Sequence, residues 1–266
     1  MKHRRRLKLN FLVGLLLLIP FGSPSAEAVP LPAISIIIDD IGYRMGDDLR
    51  ALSLPGAVAF AIMPHSPHAE KMSRLANLLG KIVLLHLPMQ AVEQEQNRFL
   101  GPGALTLNMT REEFMHTLDE NFRSVPDATG VNNHMGSLLT RHPGHMEWLM
   151  NSLHENKKFY IDSMTSKQSI VSKIAREKKV PYMQRDIFLD NQQEIHYIQA
   201  QFQELIKVAR RKGRAIAIGH PHPETIQVLM KELQQLDEYG VRLVNISDLL
   251  SSHYGKTGNI HALLSN

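Results

Sequence analysis

Three short apolar, β-branched runs in this chain each end on an acid or an imidazole, and this constrains the fold more than any other feature. Ile34-Ser35-Ile36-Ile37-Ile38 precedes Asp39-Asp40, Ile82-Val83-Leu84-Leu85 precedes His86, and Ala215-Ile216-Ala217-Ile218-Gly219 precedes His220. Unbroken apolar runs of this length predict strands buried on both faces, hence a parallel sheet covered by helices. In such sheets the carboxyl ends of the strands carry the chemistry. Acids and imidazoles delivered there from separate strands converge on one spot, which is the construction of a metal-assisted hydrolase.

Further runs of the same kind predict strands over 34–39, 57–63, 81–87, 129–133, 158–162, 180–184, 215–219 and 241–245. Helical periodicity fills the spaces between them, over 68–79, 111–123, 145–155, 168–178, 194–212 and 223–239. Thr110 with Glu113 forms a capping-box pattern, and Gly213 and Gly240 stand where helices stop before the next strand. Strand and helix alternate about seven times with no internal repeat. The expectation is α/β: a single-domain, deformed (β/α) barrel of about seven strands spanning 29–250. A doubly wound open sheet is the alternative, but no glycine-rich dinucleotide fingerprint follows the first strand.

The first 28 residues have their own character. Lys2, Arg4, Arg5, Arg6 and Lys8 precede an apolar stretch from Phe11 to Ile19, and Ala26-Glu27-Ala28 offers a small-x-small cleavage pattern. This predicts a cleaved signal peptide over 1–28 and a periplasmic product with no stable membrane span after cleavage. The whole chain has 30 Lys+Arg against 26 Asp+Glu, but its first 28 residues hold five of the bases and one acid, leaving 25 against 25. The basic balance thus belongs to the targeting segment, and nothing global points to nucleic acid. With no cysteine in the chain, a metal site must use His, Asp and Glu. The tail over 251–266, rich in Ser, Gly and His, is expected to be weakly ordered.

Asp39-Asp40 places two carboxylates at a strand end, where one can bind a divalent cation and the other act as general base. An ordinary acidic turn ahead of a helix is the plainer account of the same residues. His86 lies in a very apolar setting, where an isolated polar group is costly. Its company is His134, in Asn132-Asn133-His134-Met135-Gly136-Ser137. Two neutral imidazoles and a carboxylate make a three-ligand set with an open position for water, the arrangement of catalytic Zn²⁺ sites. Asp162 ends Phe159-Tyr160-Ile161 and is placed to orient a ligand histidine. Arg185-Asp186 can hold a catalytic carboxylate or form a surface ion pair. His220-Pro221-His222-Pro223 closes the series, with His220 as general acid and His222 either supporting the site's inner residues or beside the substrate. The His65/His68 pair is set aside as a chance spacing among 14 histidines. His142, His145, His154, His253 and His261 are read as solvated surface.

The order of these motifs resembles the divergent polysaccharide deacetylase family, exported relatives of the NodB-like carbohydrate esterases. The matching stretches are Ile36-Ile37-Ile38-Asp39-Asp40-Ile41-Gly42, Leu85-His86-Leu87-Pro88-Met89, Asn133-His134-Met135-Gly136-Ser137, Asp162-Ser163, Arg185-Asp186-Ile187-Phe188-Leu189-Asp190 and Gly219-His220-Pro221. The resemblance implies a deformed barrel that deacetylates N-acetylated sugars with one divalent ion, usually Zn²⁺. It implies Asp39 as base, Asp40 as first metal ligand and His220 as the acid that protonates the leaving amine. Asp186 or Asp162 would hold imidazoles in the useful tautomer. The pattern departs in one respect: the esterases draw both metal histidines from an H-x-x-x-H loop, whereas only His86 follows the third strand here. His134, on the next strand, is assigned as the second.

The expected partner is an N-acetylated saccharide, possibly cell-wall glycan. The competing class is a catalytically inactive barrel that binds saccharide or regulates the envelope. A second competitor keeps the metal and cuts a phosphoester or peptide, with Arg185 the one basic candidate for phosphate. Aromatic residues for sugar stacking are few: Trp148 falls in a helix, and Tyr43 and Tyr182 are better placed.

Overall fold

A computed structural model of the chain describes residues 30–254. The segment 1–28, read as a signal peptide, and the tail beyond residue 254, with His261, lie outside the described residues. The elements alternate as β1 (Ala33–Ile41), α1 (Met45–Leu52), β2 (Ala59–Ile62), α2 (Ala69–Leu78), β3 (Val83–Met89), α3 (Arg111–Ser124), β4 (Gly130–Met135), α4 (Pro143–Glu155), β5 (Phe159–Asp162) and α5 (Val171–Glu177). They continue as β6 (Tyr182–Gln184), β7 (Ile187–Phe188), α6 (Ile195–Lys212), β8 (Arg214–Gly219), α7 (Pro223–Glu232), β9 (Arg242–Leu243) and α8 (Ile246–Tyr254). Helix α8 carries the ordered chain four residues past the expected boundary at Leu250. Among the described residues no helix is long and apolar enough to cross a membrane.

The strands form one sheet in the order β6-β5-β4-β3-β2-β1-β8-β7, with β9 on β1, and every pairing is parallel. The two ends of that path, β6 and β7, are consecutive in the chain, with only Arg185-Asp186 between them. Arg185 N–H donates to the Asp162 carbonyl on the β5 side, and Asp186 N–H to the Ile216 carbonyl on the β8 side, each at 2.9 Å. The sheet therefore curls until its edges nearly meet, and the polypeptide rather than a ladder bridges the gap. This is the deformed (β/α) barrel expected from the alternation.

Side chains of a strand alternate between faces, and here the two faces pack into two cores. Ile34, Ile36, Ile38, Phe60, Leu85, Val131, Tyr160 and Ala217 join the layer between sheet and helices. Ala33, Ile37, Ala59, Leu84, Phe159, Ile161, Met183, Ile216 and Ile218 fill the barrel interior, closed by Ile246, Leu249 and Leu250 of α8. Removing such side chains from water contributes roughly 1.5–3 kcal/mol each, so a strand cannot slip by one residue without exposing its inward set. Continuing the inward row toward the carboxyl ends gives Asp39 on β1, His86 on β3, Asn132 and His134 on β4, Ser163 past β5, Arg185 past β6 and His220 past β8. The register that buries the core thus also aims these polar side chains at one mouth.

Helix ends follow local chemistry. Thr110 caps α3 through the Glu113 N–H, while the Glu113 carboxylate returns to the Thr110 N–H at 2.8 Å, completing the capping box. Gly213 ends α6 in the left-handed conformation that glycine adopts without strain.

Candidate metal centre and catalytic cleft

Asp40 belongs by alternation to the outward row, yet its carboxylate reaches the mouth of the barrel. The β1/β2 pairing loses register between Ile38 and Ile41, and Asp40 sits at φ 58°. A one-residue bulge with its extra residue left-handed breaks the period of two, and Asp tolerates that backbone better than most residues. Both neighbouring carboxylates thereby approach the same nitrogen: His86 Nε2 lies 3.2 Å from Asp40 Oδ1 and 3.6 Å from Asp39 Oδ2.

Three atoms form a nearly equilateral triangle. Asp40 Oδ1, His86 Nε2 and His134 Nδ1 are each 3.2 Å from the other two. Ligands held about 2.0–2.1 Å from a tetrahedral ion stand about 3.3 Å apart, so the spacing suits one small cation. Asp40 Oδ1 is buried with no partner of hydrogen-bonding geometry, an orphan acceptor that an ion would satisfy. One carboxylate and two imidazoles, with no thiolate, suit Zn²⁺ or a similar divalent ion and leave coordination positions open. The residues present therefore fit a metal.

Asn132 fixes one corner of the triangle. Its amide NH₂ donates to Asp39 Oδ1 at 2.7 Å, and its Oδ1 faces His86 Nδ1 at 2.9 Å. Only a donor suits that oxygen, so His86 carries its proton on Nδ1 and turns the Nε2 lone pair toward the triangle. Burial pushes the Asp39 carboxyl up from its usual range, with His86 and His220 opposing it. Burial also works against ionised Asp40, but the His134 and His86 rings override it and hold that carboxyl well below the usual range.

His220 stands on the far side of Asp40, its Nε2 3.8 Å from Asp40 Oδ2. Asp190 holds its Nδ1 at 3.0 Å and its backbone N–H at 2.6 Å, and is itself held by Thr225 Oγ1 at 2.7 Å. Burial alone would lower the His220 pKa; the Asp190 bond and charge, with the Asp40 and Asp39 charges behind them, reverse this and push it up to about 9. His220 therefore favours the protonated form, with Nε2 facing the Asp40–His86–His134 triangle.

A cleft of about 490 Å³ opens over this cluster, lined among others by Asp39, His86, His134, Ser163, Arg185 and His220. A smaller one of about 190 Å³ adjoins it, with Tyr43, Asp48 and His222 in its wall beside Asp40 and His220. Of the residues expected at the site, Asp39, Asp40, His86, His134, Arg185 and His220 are brought together, and His222 lies next to His220.

Two others are not brought to the cluster. Asp162 follows Tyr160 on the outward row and binds Ser169 Oγ at 2.6 Å and the Met164 N–H at 2.8 Å, shaping the loop after β5. Asp186, one residue past inward Arg185, pairs with Lys212 at 2.7 Å and takes the Ile216 N–H at 3.0 Å, in a separate cleft. The imidazole-orienting work expected of them is done by Asn132 and Asp190. Tyr182 also lines that separate cleft. Among the discounted residues, His65 bonds Asn121 at 3.0 Å. His145 is not solvated surface but packs its ring against Phe114 and Trp148, and His253 accepts from Arg214 at 2.6 Å.

Comparison with known proteins bears on the fold and the family. The chain is 38% identical over 216 residues to an uncharacterized protein of Haemophilus influenzae, covering 81% of this chain and 76% of that one. Among solved structures, an uncharacterized protein from Agrobacterium tumefaciens C58 superposes with a TM-score of 0.79 at 21% identity, over 84% of this chain and 90% of the other. A CE4 family pseudoenzyme from Bacillus anthracis superposes with a TM-score of 0.51 at 13% identity, over 83% and 66%. Residues 36–250 match the model of a family described as divergent polysaccharide deacetylase, and on that match the chain belongs to the divergent polysaccharide deacetylase family.

Proposed function

We propose that this protein is an exported, metal-dependent hydrolase that removes acetyl groups from N-acetylated saccharides, cell-wall glycan among them. The observation that carries the reading is the meeting of the Asp40–His86–His134 triangle with a buried carboxylate, Asp39, and an imidazole, His220, that Asp190 holds in place. Export rests on the basic and apolar segments of residues 1–28, and Zn²⁺ is the ion that this donor set suits best.

When bound at the triangle, such an ion supplies Lewis-acid polarisation of the acetamide carbonyl and acidifies water. Asp39, kept off the triangle by its bond to Asn132, takes a proton from the water that adds to the carbonyl carbon. Burial makes it a stronger base than an exposed carboxylate. The C–N bond then breaks, the nitrogen takes the Nε2 proton of His220, and acetate leaves. Asp190 stabilises the imidazolium before transfer and fixes its orientation.

A CE4 family pseudoenzyme shares the fold, so a saccharide-binding barrel without turnover is the second reading. It is weakened by the retention here of both a candidate base and a candidate acid beside the triangle. Hydrolysis of N-acetylglucosamine oligomers, followed by acetate release with the zinc-loaded protein, separates the two. Turnover lost on Asp39→Asn and on His220→Ala supports the deacetylase; no acetate release from any N-acetylated saccharide, with binding intact, supports the alternative.

A further inference from the structure

Among the described residues, Arg185 is a cation with no direct ion pair, its carboxylate neighbours acting only at longer range. It continues the inward row of β6 after Met183 and lines the large cleft beside Asp39 and His220. Its Nε donates to the Ser163 carbonyl at 2.8 Å and its Nη2 to the Met164 carbonyl at 3.3 Å. The guanidinium carbon lies 4.9 Å from the centroid of the Phe188 ring. Met164 presents its carbonyl from a left-handed turn, φ 53°. Two carbonyls and a ring thus lock the fork in place, while among the described residues Nη1 has no hydrogen bond and the guanidinium no ion pair.

A half-buried charge held rigidly with no directly paired counter-ion is costly. The Asp39, Asp162 and Asp186 carboxylates interact with it only at longer range, and each is already bonded elsewhere, to Asn132, Ser169 and Lys212. A guanidinium held by its Nε edge still offers donors to a carboxylate or phosphate, the groups its geometry suits best. Resting on the deacetylase reading for the identity of the cleft, we propose that Arg185 selects N-acetylated saccharides that carry an anionic substituent, binding that group while the acetamide faces the metal triangle.

The test compares three substrates with the zinc-loaded wild type: a neutral N-acetylglucosamine oligomer, a saccharide with a carboxylate-bearing ether beside the acetamide, and N-acetylglucosamine 6-phosphate. One charge-assisted bond corresponds to a preference of about 10–100-fold in kcat/KM. The wild type should favour one anionic substrate over the neutral one by that factor, and the better of the two identifies the substituent. Arg185→Gln should collapse the ratio toward one, and Arg185→Lys should keep part of it; damage through Asp39 alone would lower all three rates together and leave the ratio unchanged. A wild-type ratio near one, or a ratio that survives Arg185→Gln, overturns the proposal. Should the wild type hydrolyse none of them, the deacetylase reading fails by itself. Calorimetric titration of the same saccharides then decides the matter, an anionic preference that depends on Arg185 supporting the inference and its absence overturning it.

Discussion

Asp190 grips His220 from two directions, taking its backbone N–H at 2.6 Å and its ring Nδ1 at 3.0 Å. The ring pKa is pushed up to about 9, burial lowering it and the Asp190 bond and charge, followed by the Asp40 and Asp39 charges, more than restoring it. A histidine whose folded pKa lies above its unfolded value, about 6.5, adds stability that is full below pH 6.5 and is lost as pH rises through 9. Asp190→Asn should therefore flatten the fall in stability between about pH 6.5 and 9 and move the His220 titration toward neutrality. Denaturant midpoints across that range and the histidine ring NMR signals check both; an unchanged titration would remove Asp190 from its assigned role.

Asn132 joins the candidate base to the candidate metal ligand. Asn132→Ala leaves His86 free to change tautomer and removes the side-chain donor that holds Asp39. Loss of an orienting partner of this type weakens metal binding by about 10–100-fold. Zinc titration monitored by competition with a chelating dye reads this directly, and unaltered affinity would show that His86 needs no such support.

Gly42 lets the bulge of β1 turn. It sits at φ 121°, and a Cβ there would fall 2.0 Å from Ser66 Oγ, which is committed to the Met63 carbonyl at 2.8 Å. Gly42→Ala is expected to cost about 1–3 kcal/mol from backbone strain and overpacking and to weaken metal binding, since Asp40 is only two residues away. Equilibrium unfolding measures the first effect; a neutral result would mean that the bulge relaxes freely.

Much of this centre was visible in the sequence because the strands announce themselves. Runs such as Ile34 to Ile38 can only be buried, so the polar residue that follows must sit at a strand end. That reasoning located Asp39, Asp40, His86, His134 and His220. It failed at Asp162 because Phe159-Tyr160-Ile161 before it is wholly apolar, so alternation is invisible and inward cannot be told from outward; at Asp186 it failed because the inward place falls one residue earlier, on Arg185. Asp40 reaches the triangle only through a bulge, which leaves no mark beyond the nearby glycine. Asp190 follows β7, a two-residue strand too short to register as periodicity, and Asn132 looked like one more polar residue in a turn. The gap in the barrel wall was equally hidden, because only Arg185-Asp186 separates β6 from β7.

Ser163 offers a contrary prediction on stability. Its hydroxyl is buried without a partner, while its N–H and carbonyl are taken by Asn133 and Arg185. Removing an unsatisfied hydroxyl costs nothing in hydrogen bonds, so Ser163→Ala should melt at or above the wild-type temperature. A marked drop in calorimetric Tm would mean that the hydroxyl has a partner after all.

The account depends most on a divalent ion held by Asp40, His86 and His134. Mass-spectrometric metal analysis of the purified wild type, Asp40→Asn, His86→Ala, His134→Ala and the remote control Asp186→Asn, after zinc loading and desalting, tests it directly. The account predicts about one equivalent in the wild type and the control, and background levels in the three triangle variants that still show a folded circular dichroism spectrum. Equal metal content in all five proteins would contradict it.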